Sequence, residues 1–401
     1  MPEAVIVATG RTPIGRAVKG SLKDCRPDDL AALVIKEVLA KLPQLDPQTV
    51  EDVLLGCGQP GGEAGYNVAR VAALMAGLPN VPGVTVNRYC SSSLQTIRMA
   101  AHAIRSGEGD IFVAAGVEAV SSYRNGASDT GPHNPLFAEA EARTVARTPK
   151  AGDPWTPLDG LPDVYIAMGQ TAENVAEFKK VSRQEQDEFA LQSQLRAVAS
   201  QESGFFDREI IPVTTPDGTV VTKDDGPRPG TTLEGLAGLQ PVFREGGTVT
   251  AGNACPLNDG AAAVIVMSDS KARELGITPL ARIVASGVTG LNPEIMGLGP
   301  IDAIRQTLKR ANMTIDDIDL VEINEAFAAQ VVPSARELGI SYDKLNVHGG
   351  AIALGHPFGQ TGARIMTTLL NGLEDADKTF GLESMCVGGG QGMAMIVERL
   401  S

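Results

Sequence analysis

Asp29-Leu-Ala-Ala-Leu-Val-Ile-Lys-Glu-Val-Leu-Ala-Lys41 leads into Thr49-Val-Glu-Asp-Val-Leu-Leu55. The same pattern returns much later, where Ile301-Asp-Ala-Ile-Arg-Gln-Thr-Leu-Lys-Arg310 leads into Thr314-Ile-Asp-Asp-Ile-Asp-Leu320. In both places an amphipathic helix runs into a T-[VI]-[ED]-D-[VI] segment and then a strand. Each half also has a Gly- or Ser-rich turn that opens a helix. The sequence therefore reads as two copies of one α/β unit, each carrying part of a shared site. Strand-like runs support this: EAVIVAT (3–9), VEDVLLGC (50–57), DIFVAAG (110–116), AAVIVMS (262–268), ARIVASG (281–287), DLVEIN (319–324) and ESMCVGGG (383–390). They alternate with helical stretches, so the expected architecture is α/β with buried, mainly parallel strands.

A different region, roughly 120–248, separates the copies. It is polar and turn-rich, as in GASDTGPHNPLF (126–137) and TPKAGDPWTPLDGLPD (148–163). It also holds helical stretches from Gly169 and from Ser182, the second opening with the capping box Ser182-x-x-Glu185. Such an insertion is a natural lid or substrate-binding region.

Composition narrows the function. Of 401 residues, 43% are hydrophobic and 20% charged, enough for a large core. The formal net charge of −14 disfavours nucleic acid and anionic membranes as partners. An anionic substrate then needs a local basic group. No apolar run approaches the roughly 18 residues of a membrane span, and the first residues lack the basic start of a secretory signal. The expectation is a cytoplasmic protein. Cys25, Cys57, Cys90, Cys255 and Cys386 are odd in number and widely spaced, with no C-x-x-C. Neither a metal site nor a disulfide framework is expected.

Four segments could carry chemistry. In Val84-Thr-Val-Asn-Arg-Tyr-Cys90-Ser-Ser-Ser-Leu-Gln-Thr96 a strand gives way to a helix at Cys90. A thiol at a helix N-terminus is expected to have a lowered pKa, and an acyl group on it would meet backbone N–H donors. Ser91 and Ser92 are candidate caps for the same helix. Locally, filler and nucleophile remain equal readings of Cys90. Only four histidines exist: His102, His133, His348 and His356. His348 and His356 flank the Gly-rich loop Gly349-Gly-Ala-Ile-Ala-Leu-Gly-His356-Pro-Phe-Gly359, a place for a base beside a thiol. Cys386-Val-Gly-Gly-Gly-Gln-Gly392 offers a second thiol and exposed N–H groups near Gly388. Asn324-Glu-Ala-Phe-Ala-Ala329 follows a strand end, where ligands of α/β proteins bind; Asn324 could also cap the next helix.

Together these segments resemble the thiolase family. NRYCSS, MGQTAENVA (168–176), TVTAGNACPLNDGAA (248–262), NEAFA, GGAIALGHPFG and CVGGGQGMA occur in the family's order and span essentially the whole chain. The resemblance implies a thiolase-like α/β fold: two duplicated halves with mixed five-stranded sheets sandwiching helices, plus an inserted loop domain. The halves would be 1–119 with 249–271, and 272–401; the insertion would be 120–248. It implies an acyltransferase, an acetyl-CoA C-acyltransferase that cleaves 3-ketoacyl-CoA with CoA, or condenses acyl-CoAs in reverse. Cys90 would carry the acyl group, His356 would activate it, and Cys386 would be the acid/base. Asn324 with a water and His356 would form one oxyanion hole; the N–H groups of Cys90 and Gly388 would form the other.

Coenzyme A would be a substrate, contacted by Arg228, Met168, Phe243, Ala251, Cys255 and Phe327, with no prosthetic group and no metal. The family further implies a homodimer or homotetramer. Ala167 before Met168, together with NRYCSS, resembles the degradative subclass of fatty acid β-oxidation; a biosynthetic short-chain acetyltransferase is the alternative. A ketoacyl synthase, an inactive CoA- or lipid-binding relative and a cysteine hydrolase are weaker alternatives. Three positions depart from the family pattern: Ser93 where Gly is common, Cys255 where Ser is usual, and His348 where Asn is usual.

Overall fold

The structure, a computed structural model, describes residues 2–148, 155–157 and 159–401. The turn-rich reading of 149–154 and of position 158 lies outside them. The first half contributes β1 (Ala4–Arg11), β2 (Gly15–Arg16), α1 (Pro27–Ala40), β3 (Asp52–Gly56), α2 (Val68–Met75), β4 (Gly83–Val86), α3 (Ser92–Ser106) and β5 (Ile111–Ala119). The intervening region holds α4 (Ala138–Arg147), α5 (Met168–Lys179), α6 (Arg183–Glu202), β6 (Val213–Thr214), β7 (Val220–Val221) and α7 (Leu233–Ala237). Then come β8 (Asn258–Ser268) and α8 (Asp269–Leu275), followed by β9 (Ala281–Gly290), α9 (Gly299–Ala311), β10 (Leu320–Ile323), α10 (Ala328–Leu338), α11 (Ala351–Leu354), α12 (Thr361–Asp375), β11 (Phe380–Val387) and β12 (Gln391–Arg399). The capping box opening α6 is present in full, with Ser182 and Glu185 each accepting the other's backbone N–H.

The main sheet runs β10-β11-β12-β9-β1-β8-β5-β3-β4, with β2 beside β8. The two copies are visible in its order. Strands β4-β3-β5-β8-β1 pair parallel, parallel, antiparallel, antiparallel. In the second half, Leu345-β10-β11-β12-β9 repeat the same senses, the outermost strand being reduced to the single parallel bridge Val321–Leu345. The halves join where β1 pairs with β9 through Val5 and Ile6. The expectation of mainly parallel strands is therefore corrected: only β3–β4, β3–β5 and β10–β11 are parallel. One cause is local. Gly388 to Gly390 close a tight hairpin between β11 and β12, and a hairpin enforces antiparallel pairing. Gly390 has φ +80, and a Cβ there would sit 2.2 Å from the Leu291 carbonyl oxygen.

The apolar pattern dictates the layers. Leu94, Ile97, Ala101 and Ile104 of α3 and Ile365, Met366, Leu369 and Leu373 of α12 share one core with inward side chains of both halves of the sheet. Helices α1 and α2 cover the outer face of the first half, and α9 and α10 that of the second. The segments holding Cys90 and His356 sit where α3 and α12 start, and these two helices pack side by side. A Cβ on Gly362 would lie 2.3 Å from Leu94 N, so only glycine permits this approach. Among the described residues no helix is long and apolar enough to cross a membrane, and no group of three or more His, Cys, Asp or Glu could hold a metal ion.

Candidate active site

Cys90 sits in a 3-10 turn, Tyr89–Ser91, between β4 and α3. The turn is held by its polar neighbours. Tyr89 adopts φ +41, and its N–H donates to Asn87 Oδ1 at 2.8 Å. Ser92 Oγ accepts the Arg88 N–H at 2.9 Å and donates to the Tyr89 carbonyl at 2.7 Å, while Ser91 Oγ donates to the Arg88 carbonyl. The serines thus brace the turn and do not cap α3, contrary to the sequence expectation. The expected depressed thiol pKa is also corrected. Burial pushes Cys90 up to about 11, against the backbone N–H groups of Gly388 and of Cys90 itself, which bond the sulfur and pull it down. Desolvation of the anion outweighs those two dipoles.

His356 is 1% exposed and fully tied. Its N–H donates to Asn258 Oδ1 at 3.0 Å. Its Nδ1 lies 2.6 Å from Thr361 Oγ1, whose own proton goes to the Pro357 carbonyl at 2.8 Å. Thr361 therefore accepts, which assigns the ring proton to Nδ1 and leaves Nε2 as the free base. Nε2 faces Asn324 Nδ2 at 3.3 Å. Burial, reinforced by the positive Arg364, lowers His356 to about 3, so the ring is neutral. Asn324 does not cap α10; its carbonyl accepts from Gln330 Nε2 at 2.7 Å, and α10 starts after Phe327.

Two buried carboxylates clamp the histidine loop. Glu325 accepts from Ser193 Oγ, Asn346 Nδ2 and the Ile352 N–H at 2.6, 2.8 and 3.1 Å. Glu118, at the end of β5, accepts the N–H groups of Gly58, Gln59 and Gly359 at 2.7, 3.1 and 2.8 Å and the Tyr123 hydroxyl at 2.9 Å.

Cys386, one residue before the end of β11, is fully buried and within charge reach of Cys90 and Cys255. Burial, then those two thiols, holds it well above the usual thiol range. Burial and then Cys90 do the same to Cys255. Met168, Phe243 and Phe327 pack with Cys386 in one apolar cluster, the two rings edge to face at 6.1 Å. Cys255 joins it through the bond from its N–H to the Ala326 carbonyl at 3.0 Å. A Cβ on Gly388 would meet the Tyr89 ring at 3.4 Å and Met168 Sδ at 3.7 Å, so the two motifs meet there.

The structure therefore gathers Cys90, Gly388, Cys386, Cys255, Met168, Phe243 and Phe327, and separately joins His356 to Asn324. Arg228 and Ala251 are exposed and outside that apolar cluster. His348 turns elsewhere, stacked on Phe205 at 3.5 Å with Nδ1 on Ser200 Oγ, and burial holds it near 4. A cavity of about 510 Å³ between α6 and α10 shares no residue with the thiols.

Sequence reasoning missed Glu118, Asn258 and Thr361. Glu118 left one signal, a lone acid ending an apolar strand run, and Asn258 sat unused in a quoted motif.

A thiol fed by backbone N–H groups beside a second buried thiol, with a neutral imidazole held separately against Asn324, is the set of groups a cysteine-based acyl-transfer enzyme uses. Residues 4–270 match the thiolase N-terminal domain and residues 277–399 the thiolase C-terminal domain. The chain is 45% identical to the 3-oxoadipyl-CoA/3-oxo-5,6-dehydrosuberyl-CoA thiolase of Escherichia coli K12, over 100% of both chains. Two solved structures share its fold: the acetyl-CoA acetyltransferase of Bacillus anthracis (41% identity, TM-score 0.85) and human mitochondrial 3-ketoacyl-CoA thiolase (37%, TM-score 0.87), each over 100% of this chain and 99% of the other. The chain belongs to the thiolase family and is an acyltransferase.

Proposed function

We propose that the protein cleaves 3-ketoacyl-CoA with CoA, giving acetyl-CoA and a shortened acyl-CoA through a Cys90 thioester. The observation that carries this reading is the Gly388 N–H on the Cys90 sulfur, which couples the nucleophile to the hairpin that follows Cys386. Nε2 of His356 takes the Cys90 proton as the thiolate attacks the 3-keto carbon. The bond between C2 and C3 then breaks. The acetyl-CoA carbanion takes its proton from Cys386, which regains one from the incoming CoA thiol. That CoA attacks the thioester and frees Cys90, to which His356 returns its proton. N–H groups of Cys90 and Gly388 stabilise one oxyanion; protonated His356, with a water held by Asn324, stabilises the other.

Met168, Phe243, Cys255 and Phe327 would line the pantetheine arm, with Ala251 and Arg228 further out toward the nucleotide. Direction is degradative, as in β-oxidation of fatty acids, in a cytoplasmic homodimer or homotetramer. An exposed edge at β4, with Tyr66 97% exposed and Leu74, Met75 and Val84 also exposed, supports self-association. The test is thiolysis over a panel of 3-ketoacyl-CoA chain lengths. Absence of turnover by the wild type at every length overturns the reading, as does normal turnover by Cys90→Ser.

A further inference from the structure

Behind the active site two arginines are fully buried, and their surroundings differ. Arg11 of β1 is completely bonded: Nε to Glu209 at 2.7 Å, and Nη1 and Nη2 to Asp224 at 2.7 and 2.9 Å. Arg364 of α12 is bonded differently; its Nε and Nη1 have no hydrogen-bond partner among the described residues. Within charge reach of it, but beyond ion-pair distance, are Glu322 of β10 and Glu383 of β11, which lie directly across from one another in a parallel ladder. Residues opposed in this way project to the same face of a sheet, with strands about 4.8 Å apart. Their neighbours on that face, Leu320 and Met385, belong to the core around α12. Both carboxylates are buried, and neither oxygen of Glu383 accepts a bond from any N–H or O–H among the described residues.

Two buried carboxylates so placed, with one guanidinium in charge reach, cannot both ionise away from water. One shared proton leaves a single negative charge opposite Arg364 and neutralises the group. The other charged groups within reach are engaged elsewhere. Arg11 and Glu209 bond as above, Arg196 of α6 donates to the Leu345 and Tyr342 carbonyls, and Glu325 is held by Ser193, Asn346 and Ile352.

The cluster's position gives it a consequence. Glu322 lies two residues before Asn324, Glu383 three before Cys386, and Arg364 three after Thr361, which orients His356. We infer that Glu322, Glu383 and Arg364 form one buried charge cluster, its carboxylates sharing a single proton, that positions the elements carrying Asn324, Cys386 and His356. These are positioning residues, and the inference rests on the proposed roles of those three groups. Burial carries Glu322 up to about 8, against Arg364, and burial likewise carries Glu383 well above its ordinary value. An unfolded chain releases the proton near the ordinary carboxylate value, so the cluster's contribution to stability is present at low pH and lost as pH rises toward about 8.

The test compares melting temperature with pH for wild type and Glu383→Gln, an isostere that removes the need for the proton. Groups common to both cancel in the difference. Wild type is expected to lose melting temperature from pH 5 to pH 9 more steeply than the variant. The ratio of kcat at pH 9 to kcat at pH 7 is expected to be higher in the variant, with KM unmoved. Parallel melting curves over that range overturn the inference. Glu322→Gln carries the same comparison if the first variant does not accumulate folded. The melting arm stands even if no chain length is turned over, so failure of the thiolase mechanism is separable from failure of the cluster.

Discussion

Ser93 Oγ, in the first turn of α3, accepts the backbone N–H of Ala363, in the first turn of α12, at 2.9 Å. The first N–H groups of any helix lack intrahelical partners, and here one helix supplies the acceptor for the other. The bond ties the helix that follows Cys90 to the helix whose Thr361 orients His356. It accounts for a serine at a position where the family commonly has Gly. Ser93→Ala should cost about 1 kcal/mol, the usual value for a lost cap or buried hydrogen bond, and Ser93→Gly at least as much. Denaturant midpoints read the stability, and kcat should fall with it. An unchanged midpoint in both variants would show that the bond contributes nothing.

The resting protonation states make a second prediction. With Cys90 pushed up to about 11 and His356 down to about 3, the free enzyme holds a neutral thiol and a neutral imidazole. It holds no standing ion pair. The thiolate fraction at pH 7 is then on the order of 10⁻⁴. Alkylation of Cys90 by iodoacetamide should rise about tenfold per pH unit up to about pH 10. A plateau below pH 8 would mean that a thiolate–imidazolium pair exists at rest. Substrate must therefore drive the proton transfer, by presenting an oxygen that gains charge as the sulfur loses its proton.

Much of this was legible in the sequence, for identifiable reasons. The repeat at Asp29 and Ile301 reports amphipathic periodicity, so α1 and α9 and the strands after them emerged where expected. Cys90, His356, Cys386 and Asn324 carry their chemistry in their own side chains. Strand direction was misjudged, because apolar runs are blind to sense and the hairpin at Gly388–Gly390 looked only like an anion site. The Cys90 pKa was misjudged because helix position is local, whereas its burial, with the Gly388 turn brought against it, is tertiary. Glu118 acts through bonds to distant backbone, which no spacing rule exposes, and Thr361 acts through the ring of His356, five residues earlier, with no motif to mark it.

Thr361 offers the sharpest test of the histidine assignment. Thr361→Val keeps shape but removes the acceptor for Nδ1–H, so the proton is free to move to Nε2 and block the base. We expect kcat to fall about 10²-fold, within the range of general-base losses, with little change in folding. Thr361→Ser should restore most of it, since the hydroxyl can again donate to the Pro357 carbonyl and accept from the ring. Equal activity of the valine and serine variants would sink the tautomer argument.

Cys255 departs from the usual family serine, and its thiol is a weak donor. Its N–H is committed to Ala326, so only the side chain is available to a bound pantetheine amide. Cys255→Ser should lower KM for CoA several-fold, since one hydrogen bond contributes about 0.5–1.5 kcal/mol. The kcat should stay within about twofold, because the gain is in uniform binding. If KM for CoA is unchanged or higher, this thiol does not face the arm.

Glu118 makes the last prediction. Its two oxygens collect three backbone N–H groups from two places in the chain: Gly58 and Gln59 after β3, and Gly359 beyond His356. Oε2 serves Gly58 and Gly359 together, while Oε1 serves Gln59 and the Tyr123 hydroxyl. Replacing Glu118 by Gln turns one oxygen into a donor, so either pair must lose a backbone bond. The Tyr123 hydroxyl can reverse and accept, whereas Gly58 and Gly359 cannot. The amide should therefore keep its oxygen on the Gly58–Gly359 side and leave the Gln59 N–H unsatisfied. An unpaired buried donor costs about 1–3 kcal/mol, and Glu118→Gln should lose stability in that range. Activity should survive better in Glu118→Gln than in Glu118→Ala, because only the second also releases Gly359 and the histidine loop. Equal kcat in the two variants would place the control of that loop elsewhere, with Glu325 the next residue to vary.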